Sequence, residues 1–339
     1  MKSKLLIWMV LLGLLGGCTY RTSQKNEILT ITDQLGRTVT VPKHMRRISA
    51  LHHFGGKIIY ALGQQGRLVE QSLYGKEAQA LTKVDPVFAA MPKTQEQTGH
   101  AINYESLIAF KPECAFVYAS FNRSEMQQLE DAGIKVIAVK GETIEESFAA
   151  VRLVAKVLDC EKRGEEYIAD CQRLLSLVKD RTDTLTDPMR LRVAFAGPKS
   201  VYTIATGEML QNSMLELAGA VNVGAGLKGF WSDVSPEQLA AWNPDVIFIG
   251  SSLASYGVRE VLTNSQFKAI KAVQTKRVYV FPSNISWWDY PAPQCVLGVL
   301  WTAKTLYPEK FADVDMLKIA DEHYAKYLGH TFTAMGGRL

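Results

Sequence analysis

The residues best equipped for chemistry in this 339-residue chain fall into three sets. His52-His53 is the one adjacent histidine pair. Neutral imidazole can ligate iron, nickel or cobalt, or donate hydrogen bonds to an anionic chelate. Large aromatics crowd two further places, Phe230-Trp231 and the stretch from Pro282 to Pro293, which holds Trp287, Trp288 and Tyr290. Loops rarely carry several such rings without a surface to cover, and the rings suit a flat or apolar ligand. The third set is the acid pair Glu105 and Glu237, each just after a good helix N-cap, Asn103 or Ser235. There they face the positive end of a helix dipole, and as exposed carboxylates they can also meet arginines of a two-fold partner.

The signatures of catalysis are missing: there is no HExxH, GxSxG or GxxxxGKS/T. Gly224-Ala-Gly-Leu-Lys-Gly229 matches GxGxxG, but it lacks the preceding strand and the immediately following helix that a dinucleotide site needs. Besides Cys18 the chain has Cys114, Cys160, Cys171 and Cys295, with no CxxC or other metal-type spacing. On a continuous helix Cys160 and Cys171 would stand about 16 Å apart, too far for a disulfide. His44, His100, His323 and His330 lie in segments that suggest nothing specific.

What positions these residues is a repeat. Asn103 to Ser120 aligns without gaps to Ser235 to Ser252 at a constant offset of 132, and Phe110/Trp242, Glu113/Asp245 and Val117/Ile249 are conservative pairs. Each copy reads as a capped helix, a proline stop and a continuous apolar run, the pattern of a strand buried on both faces of a parallel sheet. Between the copies, Thr143 to Leu185 contains no proline and one glycine, Gly164, and keeps helical spacing. It reads as two helices broken near Asp159 to Gly164. The second, Glu161 to Thr184, would run about 35 Å, enough to cross between two lobes.

Around this frame, Leu29 to Thr32 and Arg37 to Val41 flank a turn containing Gly36 and predict a hairpin. Arg47 to Leu51 is a buried-type strand, His52 to Gly56 the loop at its carboxyl end, Lys57 to Leu62 a short helix, and Leu68 to Ser72 the next strand. Residues 73–102 are poorly periodic. Helix 124–132 and strand 135–139 complete the first lobe. The second predicts strand 191–196, helix 208–218, the repeat, helix 258–269, strand 277–281, helix 294–306 and a closing helix near 314–327. The fold class is therefore α/β, two Rossmann-like lobes with open, mainly parallel sheets joined by a long helix. In such sheets ligands sit outside the carboxyl ends of the strands. That places His52, His53 and Phe54, with Tyr74, on one side of a cleft and Trp231, Trp287, Trp288 and Tyr290 on the other.

The N-terminus reads as targeting. Lys2 and Lys4 precede the uncharged apolar stretch Leu5 to Leu15, and Leu15-Gly16-Gly17-Cys18 follows. The stretch is too short to span a bilayer, which takes about 20 residues. It resembles a bacterial lipoprotein signal, which implies acylation of Cys18, a signal peptide over 1–17 and a tether over 18–28. Acyl chains contribute about 0.8 kcal/mol per buried CH₂. Without residues 1–17 the net charge falls from +4 to +2, and no basic run suggests nucleic acid. So many residues call for two domains, here an N-terminal lobe over 29–158, a connecting helix over 159–187 and a C-terminal lobe over 188–339.

Taken together, the signal, Thr32-Asp33-Gln-Leu-Gly36-Arg-Thr-Val39 leading to Arg47-Ile48, the Asn-x-Glu helix followed by Lys-Pro-Glu, the long helix, and Ser-Pro-Glu followed by Asn-Pro-Asp resemble the class III substrate-binding proteins of ABC importers. Trp287 to Pro293, Leu297 to Trp301 and Tyr307-Pro308-Glu309 are similar to the iron-complex branch. The resemblance implies a non-catalytic, cofactor-free receptor, a lipid-anchored monomer of the cell envelope that passes its ligand to an ABC permease dimer. It also implies that Glu105 and Glu237 dock on permease arginines. The expected cargo is an iron complex, a siderophore, haem or related metal chelate. The alternative is cobalamin, a nickel complex or molybdate, with His52 and His53 coordinating the cargo. A lipid-anchored metal-dependent hydrolase built on that pair lacks a third ligand and a general base.

Overall fold

The computed structural model describes residues 27–94, 102–197, 199–250, 256–282 and 284–339. The expected signal peptide, Cys18, nearly all of the tether and Ser251-Ser252 lie outside the described residues.

Strands β1 (Ile28–Thr32) and β2 (Thr38–Pro42) form the expected antiparallel hairpin. Its turn is held by the buried Asp33, whose carboxylate accepts the amides of Leu35, Arg37 and Ala138, while Gly36 supplies the left-handed residue. The chain continues through β3 (Ile48–Ala50), α1 (His53–Ala61), α2 (Gly75–Val84), α3 (Pro86–Ala90), α4 (Tyr104–Ala109), β4 (Cys114–Tyr118), α5 (Arg123–Asp131), β5 (Lys135–Val139) and α6 (Ile144–Val157). β3, β4 and β5 make a parallel sheet in that order.

Two expectations change here. Helix α1 begins at His53, four residues earlier than the apolar pattern places it, because His52 caps it and the two glycines are needed for close approach rather than for a loop. A Cβ on Gly56 would lie 2.5 Å from the Ser72 carbonyl oxygen. The strand expected at Leu68 to Ser72 shrinks to a single parallel bridge between Ile48 and Leu68. Two of its polar residues, Glu70 and Gln71, are buried and bonded elsewhere: Ser49 donates to Glu70, and Gln71 Nε2 donates to the Phe88 carbonyl.

Helix α7 (Glu161–Thr182) has 22 residues, about 33 Å at 1.5 Å each. Gly164 lets it lie close on α6, since a Cβ there would come within 2.8 Å of Ala155 Cβ. Beyond it run β6 (Arg192–Ala196), β7 (Thr203–Ile204), α8 (Leu210–Leu217), β8 (Val221–Asn222), β9 (Ser232–Asp233), α9 (Pro236–Trp242), β10 (Val246–Ile249), α10 (Val258–Thr263), α11 (Lys271–Gln274), β11 (Val278–Val280), α12 (Cys295–Leu306) and α13 (Met316–Leu328). The second sheet has the order β11-β10-β6-β7-β9, with β8 beside β6. The helix expected over 258–269 breaks after Thr263, where extended Asn264 caps a short 3₁₀ turn by accepting the Gln266 amide at 2.9 Å.

The repeat survives in three dimensions at the same offset. Asn103 and Ser235 cap α4 and α9 through the Ser106 and Gln238 amides. Lys111 and Asn243 both adopt positive φ, 48° and 44°. Glu113 accepts the Arg46 and Arg47 amides and Asp245 that of Arg192, so each acid anchors the neighbouring strand. Cys114 pairs with Ile48 as Val246 pairs with Val193.

The main apolar core does not stop at either lobe. It runs from Phe54 and Ile58 of α1 through Tyr167, Ile168 and Cys171 of α7 to Leu297 and Leu300 of α12 and Tyr324 of α13. Smaller clusters lie around Ile247, Ile249 and Phe267 and around Val117, Leu129 and Val136. Cys114, Cys160, Cys171 and Cys295 are free thiols. Among the described residues no helix is long and apolar enough to cross a membrane.

Candidate functional site

The carboxyl ends of β3, β4 and β5 deliver one wall of the site. His52, just past β3, caps α1 by accepting the Phe54 amide on Nδ1 at 3.2 Å, which leaves the ring proton on Nε2. Its ring stacks on Tyr118, the last residue of β4, at 4.5 Å, and meets His53 at 4.1 Å. Burial, then the charge of Lys57, hold the His52 pKa down to about 3. His53 is buried and held well below the ordinary imidazole range by burial, His52 and Lys57, so both rings are neutral.

His53 Nδ1 shares a 2.5 Å hydrogen bond with the Tyr74 hydroxyl at the start of α2. With that nitrogen accepting, Nε2 carries the proton, and Nε2 is buried without a partner among the described residues. Such a donor costs free energy until something accepts from it. The opposite wall closes onto this ring: Tyr290 lies 5.2 Å and Trp287 6.0 Å from the His53 centroid, and the two are 5.2 Å from each other.

Beneath these rings the lobes are fastened by charge. Lys57 of α1 pairs with Glu77 of α2 at 3.1 Å, both side chains almost fully buried, and its Nζ donates to Ser286 Oγ of the other wall at 3.0 Å. Gln294 Nε2 reaches the same Ser286 oxygen at 3.2 Å. Between His53, Tyr74, Ser286 and Trp287 remains a cavity of about 20 Å³, room for a single water.

The sequence-derived set thus divides. His52, His53, Tyr74, Trp287 and Tyr290 converge. Trp288 does not reach the cleft: it is fully buried, donates from Nε1 to the Tyr324 hydroxyl at 3.0 Å and packs on Phe332. Trp288 instead nails the loop to α13. Phe54 is likewise fully buried, edge-on to Tyr118 and beneath Gly141. Trp231 lies over the carboxyl end of β6, where Gly197 leaves room for its ring. The GxGxxG stretch forms the turn region between β8 and β9, with no helix opening from it.

Glu105 and Glu237 are exposed in the first turns of α4 and α9, and neither forms an ion pair among the described residues. Its own backbone amide first, and then the Ser235 hydroxyl, lower the Glu237 pKa. No cluster of three or more potential metal ligands occurs among the described residues.

Sequence reading missed Tyr118 and Glu142. The Tyr118 hydroxyl donates to Glu142 Oε1 at 2.5 Å, and Glu142 lies in the loop after β5. The signal was available: both sit at carboxyl ends of parallel strands, and the loop after β5 belongs with those after β3 and β4.

Comparison with known proteins gives this geometry a family. Residues 48–285 match the periplasmic binding proteins. The Molybdate-binding protein MolA of Haemophilus influenzae is 31% identical over 322 residues, covering 88% of this chain and 90% of that protein. Its structure with molybdate, described as the cognate periplasmic binding protein of an ABC transporter, superposes with a TM-score of 0.77 and 27% identity over 89% of this chain and 98% of that one. An uncharacterized ABC transporter substrate-binding lipoprotein of Bacillus subtilis, YvrC, is 24% identical, covering 92% of this chain and all of that protein, 100%. The Vitamin B12-binding protein of Pectobacterium atrosepticum is 22% identical, covering 79% of this chain and 90% of that protein. The chain belongs to the periplasmic binding protein family, the non-catalytic extracytoplasmic solute receptors of ABC importers.

Proposed function

We propose that this receptor carries a compact oxyanion of the molybdate class to its permease. The observation that carries the reading is the direct contact of the two cleft walls: His53 meets Trp287 and Tyr290 ring to ring, with a buried Nε2 donor between them that has no partner among the described residues. A compact anion needs a few converging N–H and O–H donors, which His53 Nε2 and the Tyr290 hydroxyl can supply after a small parting of the walls, while Tyr74 keeps its hydrogen bond to His53 Nδ1. A macrocycle would have to separate rings that now touch. The likeness to MolA, whose name and structure specify molybdate, supports the same choice. It puts the alternative cargo ahead of the iron chelate expected from the aromatic loops.

An iron complex is the second reading, favoured by the half-buried Trp231, Trp287 and Tyr290, which offer flat apolar surface. Protein purified from its native envelope separates the two. A colourless protein with stoichiometric molybdenum, and calorimetric binding of molybdate by the stripped protein, is the expected result. A charge-transfer or Soret band with stoichiometric iron would instead establish the chelate.

The remaining roles complete the proposal. Glu105 and Glu237, one per lobe at equivalent positions of the repeat, dock on permease arginines. Acylation at Cys18 anchors the receptor, whose lobes span 29–158 and 188–339.

A further inference from the structure

Glu142 stands in the cleft, and nothing in an anion receptor's chemistry so far uses it. Its Oε1 accepts the Tyr118 hydroxyl, the Tyr118 ring stacks on His52, and Tyr290 of the opposite wall feels its charge. Among the described residues no cation forms an ion pair with it. Lys140 of its own loop pairs with Glu146 of α6 at 2.5 Å, and that same Glu146 accepts the Glu142 amide at 3.1 Å. From β4 and the opposite loop it faces the un-ionised phenols of Tyr118 and Tyr290, and beyond Tyr118 stacks the neutral ring of His52. Burial first, and the Glu146 charge, push its carboxyl up, against the Tyr118 bond and Lys140.

An ionised carboxylate only accepts hydrogen bonds and repels a dianion placed beside it. A protonated one keeps the Tyr118 bond on Oε1 and offers an O–H donor from Oε2. We propose that the cargo oxyanion enters the cleft together with one proton, held on Oε2 of Glu142, which makes Glu142 the donor that sets the affinity and its pH dependence. The inference rests on the oxyanion reading above. The free carboxylate, one solvent proton and the dianion combine into a carboxyl–anion pair; one O–H bond forms and none breaks within the protein or the ligand.

Isothermal titration of the purified protein with molybdate, from pH ~5.5 to pH ~8.5 in buffers of different protonation enthalpy, tests this. Above the carboxyl's own range the wild type should take up about one proton per anion, and its affinity should weaken by up to about tenfold per pH unit. Glu142→Gln carries an N–H donor at every pH. It should take up no proton, show a flat affinity profile and bind more tightly than wild type at the alkaline end. Wild-type binding without proton uptake overturns the inference, whether or not the variant folds. Undiminished uptake in Glu142→Gln also overturns it, placing the proton on a histidine. Absence of molybdate and tungstate binding at every pH would instead remove the oxyanion reading, and this inference with it.

Discussion

At the residue scale, neighbours in sequence have opposite duties. Trp287 faces the cleft against His53, while Trp288 fills the core against Phe332 and Tyr324. Trp287→Ala should weaken molybdate binding about tenfold or more and shift unfolding free energy by less than about 1 kcal/mol. Trp288→Ala should cost about 3–5 kcal/mol of stability, from the emptied core and the lost hydrogen bond to the Tyr324 hydroxyl. Urea unfolding beside ligand titration separates them, and interchangeable effects would refute the assignment. Buried titratable groups add a pH signature. Burial lowers His52 to about 3 and His323 to about 4, and takes His53 well below its usual range. The unfolded chain therefore binds protons first. Their contribution is complete above pH ~6.5 and is lost as pH falls through the window down to their folded values, by about 1.4 kcal/mol per pH unit and group. Glu70, pushed up to about 7 by burial, has the opposite sign: its contribution is complete below the ordinary carboxyl range and is lost as pH rises through 7. Glu142, also raised, acts with Glu70, but three histidines outweigh two carboxyls, so stability should fall between pH ~6.5 and pH ~4.5; a profile flat across that interval would contradict the buried neutral histidines.

At the element scale, Gly164 is the point where α7 touches α6. Alanine is a better helix former by about 1 kcal/mol, yet its Cβ would come within 2.8 Å of Ala155 Cβ, backbone-fixed on a packed helix. Overpacking of about 1–3 kcal/mol should win, so Gly164→Ala lowers the denaturation midpoint; a raised midpoint would show that the helices part freely. The contrast with what the sequence reveals is physical. Long periodic helices such as α6 and α7, and the repeat with its caps at Asn103 and Ser235, declare themselves through apolar spacing and terminal chemistry. Helix α1 hides its first turn because Gly55 and Gly56 look like a loop, and only the approach of Phe116 to Gly55 and of Ser72 to Gly56 explains them. Strands of two residues, β7 to β9, are too short to show a period. In the site, His52, His53, Tyr74, Trp287 and Tyr290 are legible as residue types placed at strand ends. Which of Trp287 and Trp288 faces the cleft, and that Glu142 meets Tyr118, depends on loop geometry that no periodicity encodes.

At the scale of the whole molecule, the core that passes from α1 through α7 to α12 and α13 sets how far the lobes can move. Opening the cleft widely would require breaking buried packing at Phe54, Tyr167, Leu297 and Tyr324 and parting Lys57 from Ser286. A long helix and a shared core resist hinge motion more than flexible connecting strands do. Small-angle scattering with and without molybdate should therefore give nearly superimposable curves, and a large ligand-dependent compaction would defeat the stiff-connector account. Stiffness also bears on how the permease is met. A body that moves little presents Glu105 and Glu237 at an almost fixed separation, so in the docking role proposed for them they would be read by position and charge rather than through a large change of shape. The Glu105→Ala, Glu237→Ala double variant should bind ligand as wild type does and fail in transport, because losing both interfacial charge pairs costs roughly 2 kcal/mol or more. Uptake at the wild-type rate by cells carrying only that variant would remove the docking role and leave the two acids as helix-dipole partners alone.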